Sequence, residues 1–347
     1  MQIRSLLLAN LVLLGGCIGY RTPLDELPKI DAGVPCLPGG FGLTHAQPTV
    51  MFVLDRSGSM NTAMGQATNS PTRWRALGAA LGAVLPSVDN AMAMGALLFP
   101  AVGGGSSSCT VAGNADVQPA VGNVATLVRL MNASAPGGST PTANAIDTAA
   151  KLMLGLRTAT AARAMVLATD GAPNCNQLLS SSTCRCTTGN TTGASACTSS
   201  LRCLDDTRTE QTIAKYQSQG LPTYVVGIQS EGDTQFVDVL NAMAIAGGRP
   251  RTGASESFYA ANSEAELGTA LGAIRDQVGA CTYLTTSVPD PNGSIVLSLD
   301  GNDLPPEEWS WGDKANGEIV LVGDACQTAA AERNPTLTAV VECNEGG

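Results

Sequence analysis

Five oxygen-bearing residues stand where apolar runs give way to loops. Asp55, Ser57 and Ser59 lie in Asp55-Arg56-Ser57-Gly58-Ser59, directly after Val50-Met51-Phe52-Val53-Leu54. Thr140 lies in Gly138-Ser139-Thr140-Pro141-Thr142, and Asp170 in Ala168-Thr169-Asp170-Gly171. Carboxylate and hydroxyl oxygens, with no imidazole or thiolate among them, suit a hard divalent cation. Magnesium fits best, with manganese or calcium as alternatives. Hydroxyls and few directly bound carboxylates leave such an ion with residual positive charge and room for water. A carboxylate from another molecule can then complete its shell.

For three distant loops to meet, the elements before them must share a sheet edge. Open parallel sheets bind ligands in the crevice beyond the carboxyl ends of their strands. Residues 49–55 read as a buried strand, and Trp74, Leu77, Leu81 and Val84 then recur at helical spacing up to Pro86. Met94 to Phe99 is a second strand, followed by the loop Gly103 to Ser108 and an edge segment beginning near Cys109. A helix spans Val124 to Met131, and Ile146, Ala149, Ala150, Met153 and Leu154 mark another. The strand Ala164 to Thr169 delivers Asp170. The alternation continues with a helix over Thr209 to Gln219, the strand Tyr224 to Ile228, and a helix carrying Phe236, Val239, Leu240 and Met243. A capping box, Ser263-x-x-Glu266, opens a last helix with Leu267, Leu271, Ile274 and Val278 on one face. Alternating strands and helices predict an α/β fold, a doubly wound, mostly parallel sheet flanked by helices.

An isolated Asp-x-Ser-x-Ser is commonly a turn followed by a helix cap, since short polar side chains satisfy orphan backbone N–H groups. Two further loops at predicted element boundaries change that reading. Together the three motifs resemble those of a von Willebrand factor A domain, over residues 48–280. The resemblance implies a metal-ion-dependent adhesion site in which Asp55, Ser57, Ser59, Thr140 and Asp170 surround the ion, Asp170 often through a water. Thr142 is a ligand's neighbour or a helix cap.

The chain's beginning concerns its address. Arg4 precedes the apolar stretch Leu6 to Leu14, which runs into Leu14-Gly15-Gly16-Cys17. That stretch is well short of the roughly 20 residues a helix needs to span a bilayer, so residues 1–16 read as a cleaved signal peptide. They resemble a bacterial lipoprotein signal. The resemblance implies that Cys17 is acylated and anchors the protein to a membrane through lipid, and Ile18, where Asp would retain it, favours the outer membrane of a two-membrane envelope. Residues 17–47, rich in Pro and Gly, read as a tether.

Setting Cys17 aside, the 11 cysteines leave 11 − 1 = 10, an even number that suits complete pairing after export. Residues 174–204 form a Ser/Thr/Gly-rich insertion with Cys175, Cys184, Cys186, Cys197 and Cys203. Five cysteines require one partner outside, and Cys109 is the candidate. So apolar-poor a stretch needs disulfides to hold a shape. It leaves from the metal face, where it would either rim the ion or be an inert surface insertion. Zinc at Cys184-Arg185-Cys186 is disfavoured by a single histidine, His45, and the lack of paired C-x-x-C knuckles.

Residues 281–347 carry short β-type runs at 283–287, 295–299, 318–322 and 337–342, and read as a small β module with Trp309 and Trp311 in its packing. Cys326 with Cys343 is the expected internal staple, and Cys281 is assigned to Cys36.

The 347 residues are 44% hydrophobic and 14% charged, ample for one α/β core plus a smaller module. A net charge of −10 repels nucleic acid. No G-x-S-x-G elbow, phosphate-binding G-x-x-x-x-G-K-[ST] loop or paired-His metalloprotease motif is present, so enzymatic chemistry is not expected. The expected role is a membrane-anchored, metal-dependent binding protein whose ion takes an Asp or Glu side chain of a protein partner. The alternatives are a structural cell-envelope module whose metal only ties loops together, and a metal-dependent hydrolase.

Overall fold

The computed structural model describes residues 33–65, 67–101, 109–156, 163–187, 197–229, 236–251, 253–332 and 335–343. The expected signal peptide, Cys17, most of the expected tether, the loop Gly103 to Ser108 and part of the Cys-rich insertion lie outside them. In chain order the strands are β1 (Gly39–Gly42), β2 (Thr44–His45), β3 (Thr49–Asp55), β4 (Ala93–Phe99), β5 (Val117–Ala120), β6 (Arg163–Thr169) and β7 (Thr223–Ile228). They continue with β8 (Tyr259–Ala261), β9 (Thr282–Leu284), β10 (Ser294–Leu299), β11 (Asn302–Asp303), β12 (Trp309–Asp313), β13 (Glu318–Leu321) and β14 (Leu337–Glu342). The helices are α1 (Arg73–Val84), α2 (Val124–Ala133), α3 (Thr142–Leu154), α4 (Asp206–Gln217), α5 (Val237–Ala246), α6 (Glu264–Ala280) and α7 (Gly323–Ala331).

Six strands form one sheet in the order β5-β4-β3-β6-β7-β8. All pairs are parallel except the antiparallel edge strand β5. The all-apolar run of β3 follows from burial on both faces. Its Val50, Phe52 and Leu54 pack with α1, α2 and α6 residues such as Leu77, Leu127 and Leu271. Met51 and Val53 pack on the opposite face with α3, α4 and α5 residues such as Ile146, Ile213 and Leu240. Helices therefore cover both faces, and β3 and β6 sit side by side at the sheet's centre. Asp55 and Asp170 end those two neighbouring strands on the same edge.

Helix boundaries follow local chemistry. Thr72 caps α1, its hydroxyl accepting from the Arg75 N–H at 3.3 Å. At α6 the Ser263 hydroxyl accepts from the Glu266 N–H at 3.2 Å, while the Glu266 carboxylate accepts from the Asn262 N–H at 2.9 Å. Each side chain satisfies a donor that the helix start leaves orphaned.

Two four-stranded sheets hold the remaining strands, β1-β14-β10-β11 and β12-β13-β9-β2. Here three expectations are corrected. Residues 39–45, read as the end of a tether, form β1 and β2, which pair antiparallel with β14 and β9. Their Gly-rich, largely exposed sequence carries no apolar alternation, because edge strands are held by backbone bonds to a partner rather than by a buried face. Second, α7 interrupts what reads as continuous short strands. Third, the staples are exchanged: Cys36 bonds Cys343, and Cys281 bonds Cys326. The register Gly39↔Val341 brings Cys36 against the residue that follows β14. Cys326 is held in α7, 5.1 Å in Cα separation from Cys281 at the end of α6. In place of the expected internal staple Cys326–Cys343, one bond ties the end of β14 to the segment before β1 and the other ties α7 to the end of α6.

Candidate metal centre

Asp55 is the last residue of β3 and is fully buried. Its Oδ1 accepts from the Ser57 N–H at 2.8 Å and its Oδ2 from the Thr169 hydroxyl at 2.7 Å. These bonds fix the carboxylate and turn the chain sharply after it. The turn brings the Ser57 and Ser59 hydroxyls to 3.0 Å from each other. Ser57 is buried, whereas Ser59 faces solvent.

The loop carrying Thr140 is laid onto that turn by backbone bonds. The Gly58 N–H donates to the Gly138 carbonyl at 3.0 Å, and the Gly137 N–H to the Arg56 carbonyl at 2.8 Å. The Arg56 guanidinium turns aside to the Pro100 carbonyl, at 2.7 and 3.1 Å, near Asp116. Thr140 is buried at the start of α3 and exchanges two bonds with Asn174: its N–H donates to Asn174 Oδ1 and its carbonyl accepts from the Asn174 N–H, both at 2.8 Å. Thr142 is buried, its N–H donating to the Thr140 carbonyl at 2.8 Å, which makes it a neighbour that shapes the loop.

Asp170 follows β6, and its Oδ2 accepts from Arg73 Nη1 at 3.0 Å. The side chains of Arg73 and Asp170 are 8% and 4% exposed, so the pair is desolvated. Burial, then the nearby Asp170 charge, raises the Asp55 carboxyl to about 7, against the bonds from Thr169 and Ser57 that lower it. Two carboxyl groups within electrostatic reach of each other, one with no cation of its own among these contacts, fit a site for a positive ion. The donor set is all oxygen, which matches magnesium, manganese or calcium rather than a softer metal. A bound ion would supply the charge that Asp55 lacks and an open position for an external carboxylate.

Gly171 makes this geometry possible. Its φ of +94° disfavours L side chains, and a Cβ there would lie 2.9 Å from Leu240 Cγ. Gly171→Ala is expected to cost about 1–3 kcal/mol in stability and to weaken ion binding by displacing Asp170. Thermal melting paired with ion titration checks both, and an unchanged affinity would mean that Asp170 stays in place.

Four residues escaped the sequence reading: Arg73, Thr169, Asn174 and Arg56. Thr169 and Arg56 lie inside the recognised motifs, one residue from the acids. Arg73 and Asn174 have no local signature, because their partners are 97 and 34 positions away.

The Cys-rich insertion is rooted at this site. Cys175 bonds Cys109 and takes a left-handed φ of 77°, next to Asn174. Cys184 bonds Cys203, and Cys186 bonds Cys197. The sulfurs of Cys184, Cys197 and Cys203 lie within 4.8 Å of one another because these two disulfides are side by side. Bonded in pairs, they lack the thiolates a metal would need.

No family model matches the chain, and no curated relative does either. Among solved structures it is similar to the pilus adhesin SpaC of Lactobacillus rhamnosus GG, at 14% identity and a TM-score of 0.47, over 88% of this chain and 42% of that one. It is similar to the PilB minor pilin of Streptococcus sanguinis at 14% identity and a TM-score of 0.45, over 68% of this chain and 62% of that one. A third is the manganese-loaded TRAP protein of Plasmodium vivax, at 15% identity and a TM-score of 0.42, over 68% and 76%. The chain thus spans less than two thirds of both bacterial pilus proteins.

Proposed function

We propose that the chain contains a von Willebrand factor A type domain whose Asp55, Ser57, Ser59, Thr140 and Asp170 hold one divalent cation, magnesium foremost. The ion takes an Asp or Glu side chain of a protein partner, and the protein serves adhesion or complex assembly. Its address is the bacterial cell envelope, with Cys17 carrying the lipid anchor and the outer membrane as destination. Among the described residues no helix is long and apolar enough to cross a membrane, which is compatible with a lipid anchor.

The observation that carries this reading is Asp55. A fully buried carboxylate, oriented by the Ser57 N–H and the Thr169 hydroxyl and set near a second acid, is costly unless a cation completes it. A role confined to tying loops together is less well supported. The Gly58–Gly138 and Gly137–Arg56 backbone bonds already join the two loops without an ion. Hydrolysis would need a proton shuttle, and the single histidine stacks on Tyr283 in another sheet, at 4.1 Å between ring centroids. We read the insertion as a rim for the ion, a reading supported by the bond between Asn174, where it begins, and Thr140.

Calorimetric titration of magnesium, manganese and calcium into the full chain tests the site. We expect about one ion per chain, with Ser57→Ala lowering affinity at least tenfold, or 1.4 kcal/mol. If Ser57→Ala lowered the melting temperature while leaving capture of an acidic peptide unchanged, the loop-tying role would be correct instead.

A further inference from the structure

A cleft of about 760 Å³ opens between the central sheet and the C-terminal strands, in the size range of small-molecule sites. It lies away from the two acids. Tyr224 stands at the start of β7, whereas Asp55 ends β3 and Asp170 follows β6, so the parallel strands place them at opposite edges of the sheet. One wall of the cleft is Tyr224 with Arg249, from the turn after α5, and Ala273 of α6. The other includes Ser310 and Val320, which stand opposite each other across β12 and β13. Cys326 also lines the cleft, and its bond to Cys281 ties α7 to the end of α6, holding the two walls in place.

Among these largely apolar walls Arg249 is the cation. Its Nη1 donates to the Gly248 carbonyl at 3.2 Å, its guanidinium is also bonded to the Tyr224 hydroxyl, and its Nε is buried with no acceptor among the described residues. A buried guanidinium donor left without an acceptor is costly, and a carboxylate is the acceptor whose shape and charge match it. Asp276, the other charged residue of the lining, lies 2.6 Å from Arg275 and is compensated there. Glu318, on β13, acts on Tyr224 more weakly than Arg249 does. We infer that this cleft binds a small apolar carboxylic acid, its carboxylate on Arg249 and its body against Tyr224, Ala273 and Val320. Charge selects the acid, and the apolar walls select its body. The site is independent of the divalent ion and of the protein partner proposed above.

The test is titration of the full chain, in chelator, with phenylbutyrate, phenylbutanol and phenylbutylamine, which share one body and differ in charge, followed by amide NMR. Phenylbutyrate is expected to shift the amides of Gly248, Arg249, Ser310 and Gly323 and to bind about tenfold or more tightly than phenylbutanol, the usual worth of a hydrogen bond to a charged group. Phenylbutylamine should bind more weakly than either. Arg249→Gln should erase the preference, leaving acid and alcohol alike. That variant also loses the bond to Tyr224, so Ser310→Trp provides a second arm. It leaves Arg249 in place and fills the cleft from an exposed position on the edge strand β12, and it should weaken both acid and alcohol about tenfold or more. A wild type that binds acid and alcohol equally, shifts confined to other amides, or a Ser310→Trp protein that binds the acid as wild type does overturns the inference. A peptide ending in a free phenylalanine carboxylate that bound more tightly than phenylbutyrate would put a polypeptide terminus in place of the small acid. Because chelator removes the divalent ion, none of these results bears on the metal reading.

Discussion

Asp55→Asn is expected to do two opposite things: abolish divalent-ion binding and, in metal-free buffer at pH 8, raise the melting temperature. The Asp55 carboxyl is raised from 3.8 to about 7 by burial and by Asp170, so in the absence of an ion the fold favours its neutral form. An acid whose folded-state value lies above its unfolded one imposes no penalty when both forms are protonated, below about 4. The penalty grows as pH rises through the window from about 4 to 7 and is complete above it. A shift of this kind is worth on the order of a few kcal/mol.

Asparagine has the same shape and no charge at any pH. Its carbonyl can accept from the Ser57 N–H, and its amide can donate to the Thr169 hydroxyl oxygen, so both existing contacts have a counterpart. The melting temperature of wild type in chelator should therefore fall between pH 5 and 8, while the gap to Asp55→Asn opens over the same range. Magnesium at pH 8 should recover the wild-type loss by mass action and leave Asp55→Asn unmoved. Below about pH 7 the ion must displace a proton, so its apparent affinity should fall up to tenfold per unit. An Asp55→Asn protein less stable than wild type at pH 8 in chelator would show that the carboxylate stabilises the fold unaided, and the case for a missing cation would fail.

The features legible from sequence share one cause, which is periodic burial. The runs 50–54, 94–99, 164–168 and 224–228 carry no charged residue and are almost wholly apolar because each is covered on both faces. Their helices show a 3.6-residue stripe because one face meets the sheet. The positions of Asp55 and Asp170 then follow from sheet geometry, since parallel neighbours deliver their ends to one edge. What escaped reading depends on pairs distant in sequence. β1 is glycine-rich and mostly exposed, and it becomes a strand only because β14, some 300 residues on, offers an edge. Arg73 reads as an ordinary first-turn residue until folding places Asp170 beside it. The exchanged pairing of Cys36, Cys281, Cys326 and Cys343 has the same origin, for connectivity belongs to register and helix placement rather than to spacing.

That pairing leads to the second large effect. Removing Cys36–Cys343 by a double serine substitution should cost about 4–5 kcal/mol, at the top of the usual range for a disulfide. The bond spans 307 positions, and cross-linking restricts the unfolded chain in proportion to the logarithm of the loop it closes. Short-cuts through Cys109–Cys175 and Cys281–Cys326 remove parts of that loop but change its logarithm little. The same substitution at Cys186–Cys197, separated by 11 positions, should cost about 2–3 kcal/mol less than that. Calorimetric melting of the two variants makes the comparison, and hydrogen exchange locates it. Loss of Cys36–Cys343 should release protection first in β1 and β14, because their antiparallel ladder is the structure that the bond closes, while β3 and β6 keep theirs. Equal costs for the two disulfides would mean that strain or residual structure in the unfolded chain outweighs loop closure. Protection lost first at β3 would mean that the edge pairing of β1 supports the central sheet, and that Asp55 depends on a strand that the sequence does not announce.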